Sequence, residues 1–260
     1  MTLSRIFSNN LTDRHIAITD GVFAIAMTIL VLEIAVPTIS DISSGVLLKN
    51  YFLTYLLPAI FIYFISFYLV FNFWEMNVIL FNFKKIKHSI LILNMFTLAT
   101  VCLIPFATGF LFKFYNYSEV NIFFSLLILA ISILYILMFI LLIRDNFGHY
   151  FDKKEEIKSS VKETYESYED GIELTNLKLY IKGVTLTLFY LLMSPVITSV
   201  ISLLLAFISP LWSMLSFLLI LFLRFFIRMK RERKDDLTNF QLSDEEKEFI
   251  ENVKKSIYGE

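Results

Sequence analysis

Few side chains in this sequence are suited to chemistry, and their spacing excludes most of it. His15, His88 and His149 stand far apart, without the spacing of metal ligands. Cys102, the single cysteine, excludes an intramolecular disulfide and a multi-thiolate metal site, and with no neighbouring base it reads as core filler rather than as a nucleophile. No His-Glu-x-x-His, no Gly-x-Ser-x-Gly and no closely spaced pair of intramembrane carboxylates occurs, so no enzyme is expected. What remains are polar and ionisable residues embedded in long apolar runs: Arg14, Asp20 and Glu33 in the first, and Asn72, Trp74, Glu75 and Asn77 in the second. Within a bilayer an ionisable group costs about 2.5 to 3.5 kcal/mol on insertion scales, so such residues mark ion pathways or interhelical locks and need partners.

The runs that carry them dominate the chain. Of 260 residues, 57% are hydrophobic, 17% aromatic and only 18% charged, and the mean hydropathy is +0.68. That is more apolar surface than one globular core buries, which argues against a soluble enzyme. Basic and acidic residues nearly balance, 23 against 24, so no whole-chain positive field favours nucleic acid as a partner. A membrane-spanning helix needs ~20 apolar residues, and six runs meet that length, near Ile16–Val36, Tyr51–Phe81, Ser89–Phe112, Val120–Ile143, Leu179–Ile201 and Leu203–Ile227. The first lacks a cleavage site and reads as a retained helix rather than a signal peptide. The expected fold is therefore an all-α membrane protein with six transmembrane helices per subunit. Its six-helix transmembrane domain covers 1–230, with a cytosolic linker at 144–178 between the fourth and fifth helices, and a cytosolic tail with a short amphipathic helix occupies 231–260.

Lysine and arginine set the orientation. With both termini cytosolic, the cytosolic parts hold Arg5, Arg14, the 84–87 cluster, 144–182 and everything from Arg224 on, while the other side keeps only Lys49 and Lys113. The 144–178 stretch mixes both signs of charge and reads as a solvated linker or short helical hairpin. In the tail, Ser243-Asp244-Glu245-Glu246 is a capping box leading into Phe249, Ile250, Val253 and Ile257 at helical spacing. The basic run from Arg224 to Lys234 either stops translocation or holds anionic lipid.

Arg14 and Asp20 lie six residues apart, off one helical face, so each needs a partner on another element. Asn72, Trp74, Glu75 and Asn77 reach the depth of Asp20 if the first two helices run antiparallel, and a helix-to-helix polar cluster follows. Glu33, at the far end of the first helix, either gathers cations at an entrance or snorkels to the interface. Ile25, Ile29 and Leu32, with Thr28 among them, form a stripe whose periodicity alone is that of ordinary packing.

A longer pattern surrounds that stripe. The segment Arg14-His15-Ile16-Ala17-Ile18-Thr19-Asp20-Gly21-Val22-Phe23-Ala24-Ile25 resembles the first-helix signature of the transmembrane protein 175 family of potassium channels, in its short prokaryotic form. There an Arg precedes a Phe-Ser-Asp triplet followed by Gly-Val-Phe-Ala-Ile. Trp74 resembles the family's second-helix Trp, and Leu93-Asn94 with Ile104-Pro105-Phe106 and Thr108 is similar to its third-helix pattern. Two departures stand out. Ile18-Thr19-Asp20 replaces Phe-Ser-Asp, and Asn77 stands where many short-form members have a His, which removes a titratable group while keeping hydrogen-bonding capacity.

The resemblance implies a potassium-permeable, leak-type channel in a prokaryotic plasma membrane. It would be a homotetramer with cytosolic termini, surrounded by lipid, with the first helix of each subunit lining the central pore. Ile25 would be the narrowest hydrophobic ring, with Thr28, Ile29 and Leu32 as further rings. Arg14, Thr19, Asp20, Trp74 and Asn77 would position that helix, and Glu33 would lie at the entrance. No cofactor is implied, only permeant K+ and other monovalent cations. The signature occurs once, so several subunits must close the ring. No Thr-Val-Gly-Tyr-Gly loop is present, so selectivity must arise from the apolar constriction and be modest. A secondary transporter, or a proton-permeable protein of the same fold, is the alternative; it would want broken helices and an internal repeat, and no second copy of the first-half pattern is visible. A scaffold that conducts nothing is a further reading.

Overall fold

The protein was analysed as a computed structural model, which describes residues 3–34, 52–81, 86–152, 188–227 and 229. These form helices α1 (Leu3–Leu32), α2 (Leu57–Phe81), α3 (His88–Val101), α4 (Leu103–Phe114) and α5 (Ser118–Asp152). They are followed by α6 (Leu188–Ala206), α7 (Pro210–Ser216) and α8, residues 219–227. A single π-helical turn, Phe52–Leu56, leads into α2. Grouped by length and apolarity, the helices make six membrane spans: Arg14–Leu32, Phe52–Phe81, His88–Phe114, Ser118–Asp145, Leu188–Ala206 and Pro210–Ile227. The described residues thus form an all-helical, multi-pass membrane protein, as expected from the sequence.

Proline explains the two breaks. Pro105 has no N–H, and its ring crowds the carbonyl of Val101. The third span accordingly turns at Cys102, whose N–H still reaches the Leu98 carbonyl at 3.0 Å. The break leaves Cys102 exposed, not in the core where the sequence placed it. Pro210 sits in the first turn of α7, where its missing N–H has no bond to lose, and Ser209 before it is extended at φ −158°, ψ 124°. This sets the boundary between the last two spans at 207–209 rather than near Leu203. Helix α5 runs past residue 144 to Asp152, so the start of the expected linker is helical. The rest of that linker and the 231–260 tail lie outside the described residues.

Contacts along the helices give their directions. His15 stacks on Phe81 at a centroid distance of 5.6 Å while Asp20 meets Trp74, so α1 and α2 run antiparallel. Thr19 meets Asn94 and Glu33 meets Gly109, so α1 and the α3–α4 span run parallel. Thr97 against Met138 and Lys87 against Asp145 make α5 antiparallel to α3. The core joins Phe23 and Leu30 of α1 with Ile62, Leu69 and Phe73 of α2, Ile90 of α3, Ile104 of α4, and Ile128 and Tyr135 of α5. Ser125 of α5, Ser202 of α6 and Ser213 of α7 bring the later helices onto this body through a chain of hydroxyls.

Candidate pore helix and its polar lock

Helix α1 has two unlike faces. Thr19, Phe23, Ala26 and Leu30 are buried, at spacings of four, three and four, which is one face of a 3.6-residue helix. The other side stands open: Ile18, Ile25, Ile29 and Leu32 are 62, 60, 38 and 78% exposed, and Thr28 is exposed as well. The four positions expected to line a pore therefore share the uncovered side of one helix. Thr28 Oγ lies 2.9 Å from the Ile25 carbonyl and 3.1 Å from that of Ala24. Its proton goes to the backbone, and its lone pairs are left for whatever occupies the open side. About two turns nearer the N-terminus than Thr28, a Cβ placed on Gly21 would meet nothing within 4 Å.

The covered face is held by a polar network. Lipid tails are as apolar as the side chains, so helix association in a bilayer relies on packing and hydrogen bonds rather than on expulsion of water. Trp74 Nε1 donates to Asp20 Oδ1 at 2.9 Å. Asn77 Nδ2 donates to Asn94 Oδ1 at 2.6 Å and to the Tyr135 hydroxyl at 3.3 Å. Asn94 Nδ2 in turn reaches Thr19 Oγ at 3.1 Å and His15 Nε2 at 3.0 Å. Thr19 donates back to the His15 carbonyl at 2.9 Å. Asn77, Asn94, Thr19 and Tyr135 are all buried, and α1, α2, α3 and α5 are thereby tied at one depth.

Several sequence expectations are redistributed. The cluster expected on α2 divides among neighbours: Trp74 serves α1, Asn77 serves α3 and α5, and Glu75 accepts from Arg224 Nη1 of α8 at 2.5 Å. Asn72 is buried, and its amide has no hydrogen-bond partner among the described residues. Arg224, read from sequence as part of a translocation stop, is instead 4% exposed and paired inside the bundle. Arg14 is exposed and forms no ion pair with Asp20 among the described residues. Glu33 is half-buried, and its carboxylate rests on Gly109, where a Cβ would collide with Oε2 and lie 3.2 Å from Cδ. It thus faces α4 rather than the open side of α1. Sequence reasoning missed His15 as a member of the lock, and Tyr135 altogether. The available signal was a polar residue inside an otherwise apolar run.

The family model described as "Endosomal/lysosomal potassium channel TMEM175" matches residues 14–105, the segment that holds the α1 stripe and the α1, α2 and α3 members of the lock. No curated protein matches the chain significantly in sequence. Among solved structures, one titled as a lysosomal potassium-selective channel TMEM175 homolog from Chamaesiphon minutus superposes with a TM-score of 0.59 at 22% identity. The superposition covers 84% of this chain and 98% of that one, and at this identity the likeness is one of fold. Residues 14–105 thus match the TMEM175 family model, and the chain as a whole is similar in fold to a TMEM175 homolog.

Proposed function

We propose that the chain is one subunit of a potassium-permeable cation channel, in which the open side of α1, repeated around a homotetrameric ring, lines the pathway. One observation carries this reading: Ile25, Thr28, Ile29 and Leu32 are uncovered in the subunit while the opposite face of the same helix is packed and hydrogen-bonded. A helix locked on one side and bare along the other is shaped for a symmetric assembly, and a closed ring is the ordinary way to cover identical faces. The names of the matched family and of the solved relative, both potassium channels, point the same way.

The mechanism follows from the side chains. A ring of Ile25 side chains offers no oxygen to replace an ion's water, so passage requires partial dehydration, which costs potassium less than the smaller sodium or lithium. Selectivity for potassium over sodium is therefore real and modest. The same apolar ring gates by dewetting, and a small rotation of α1 switches it. Thr28 oxygens, with their proton turned to the backbone, give the dehydrated cation its first polar contact beyond the ring. The distribution of lysine and arginine supports cytosolic termini, and the resemblance to the short prokaryotic form supports a prokaryotic plasma membrane. The test is flux from purified protein in liposomes under potassium, caesium, sodium and lithium gradients. The reading expects potassium and caesium to lead, and saturable, proton-coupled uptake would replace it with a transporter.

A further inference from the structure

Asn77 carries no titratable group, yet the network that it enters contains an imidazole. His15, on α1 between Arg14 and the buried face, stacks on Phe81 of α2 and meets Asn94 of α3. The wiring around it has a fixed direction. Thr19 gives its hydroxyl proton to the His15 carbonyl, so toward Asn94 its oxygen can only accept. The atom of Asn94 facing Thr19 must then be the donor Nδ2, and the same nitrogen faces His15 Nε2. Asn94 Oδ1 on the other side accepts from Asn77, which agrees. Nε2 is therefore an acceptor, and a neutral ring must carry its proton on Nδ1.

We propose that His15 is a proton-operated switch in the lock on α1. A proton from water binds the Nε2 lone pair, and imidazolium N–H then points at Asn94 N–H, donor against donor. Relief requires Asn94 to turn its amide so that Oδ1 faces His15. Nδ2 of Asn94 then opposes Nδ2 of Asn77, and Asn77 must turn in its place. Its contact with Tyr135 reverses, the phenol now donating to the Asn77 oxygen. Thr19 is released from the backbone to donate to Asn94. One proton inverts every bond of a chain that runs from α1 through α3 and α2 to α5.

Among the described residues, the carboxylates near the ring are already engaged elsewhere. Helix α1 itself offers Arg14 and Asp20, α2 offers Glu75, the start of α3 offers Lys87 and His88, α4 offers Lys113, and α5 offers Tyr135, Arg144 and Asp145. Asp20 is engaged by Trp74, Glu75 by Arg224, Asp145 by Lys87 and Tyr135 by Asn77. No ion pair joins the His15 ring to a described carboxylate. The effect of the switch on flux rests on α1 being the pore helix, whereas its wiring does not.

The test reads both. With His88 and His149 replaced by glutamine, 15N-histidine labelling leaves one imidazole for NMR in liposomes. At about pH 7.5, above the ordinary imidazole range, the expected spectrum has the proton on Nδ1 and a bare Nε2. At about pH 5.5 it shows a doubly protonated ring together with shifted side-chain amide signals of Asn94 and Asn77. In flux, the same parent changes by about fivefold or more across that interval, the low end of coupling between linked sites. His15→Gln, which places a non-titrating acceptor near Nε2, gives a flat profile, and His15→Lys, a permanent donor, behaves at high pH as the parent does at low pH. A neutral ring protonated on Nε2, or a pH response that survives in His15→Gln, overturns the proposal. The expected tautomer with no flux from any variant upholds the switch and contradicts the channel.

Discussion

Two polar knots cross the apolar interior, and they are built on opposite principles. The first joins His15, Thr19, Asn77, Asn94 and Tyr135, and its directions are linked, because each amide presents donor and acceptor on opposite sides and turning one requires its neighbour to turn. The second joins Ser125, Ser202 and Ser213 at 2.7 and 2.8 Å, with Ser125 also reaching the Asn121 carbonyl at 2.7 Å. A hydroxyl rotates and can donate or accept, so losing one partner is accommodated by turning another. The first knot therefore has two discrete states and can report a change. The second is adjustable glue. Their placement matches: the directional knot holds the helix with the bare face, and the adjustable one holds the later helices to the body.

The largest separation between the knots is expected from Asn94→Leu. It leaves Asn77, Thr19 and His15 without their shared partner, at about 1 to 3 kcal/mol for each buried polar group left unsatisfied, and should sharply lower the unfolding temperature of solubilised protein and disorder cation flux. Trp74→Phe follows, because it removes only the indole donor to Asp20. A loss of about 1 kcal/mol with a change in flux larger than the change in stability would show that this bond positions α1 rather than merely gluing it. Gly109→Ala comes next: the new methyl occupies the place of the Glu33 carboxylate, which must swing away. Flux at low ionic strength should change in Gly109→Ala and not when Glu33→Gln is already present. Ser202→Ala is expected to matter least, about 0.6 kcal/mol, the average for hydrogen bonds between membrane helices, with flux unaltered. Equal losses from Asn94→Leu and Ser202→Ala would erase the distinction between the knots.

Much of the fold was legible because a bilayer reduces the problem to counting apolar runs. The sequence predicts six runs, and the described residues hold six helices long and apolar enough to span. The errors fall where proline acts on a neighbour: the turn at Cys102 precedes Pro105, and the final boundary moved to Pro210. At the candidate site, type and depth single out Asp20, Trp74 and Asn77, and the resemblance adds Thr19; the structure engages all four, but not as one cluster. Helical rotation divides adjacent residues among different neighbours, so Trp74 and Glu75 hold opposite partners. His15 was set aside because it lacked a metal partner in sequence. Its role depends on Asn94, a residue 79 positions away, and no local spacing reveals such a pairing. The open stripe of α1 was visible only as periodicity, which looks the same for a packed face and a pore face until burial distinguishes them.

The central claim is that the open side of α1 is the permeation path with Ile25 at its narrowest ring. The most direct measurement is the potassium-to-sodium permeability ratio of reconstituted protein, compared with that of Ile25→Asn. The account predicts a modest preference for potassium in the parent, and in the variant a raised leak with the ratio moving toward one, because an amide ring gives sodium the oxygen that isoleucine withholds. An unchanged ratio in a folded, tetrameric variant, or no cation flux from the parent, would contradict it.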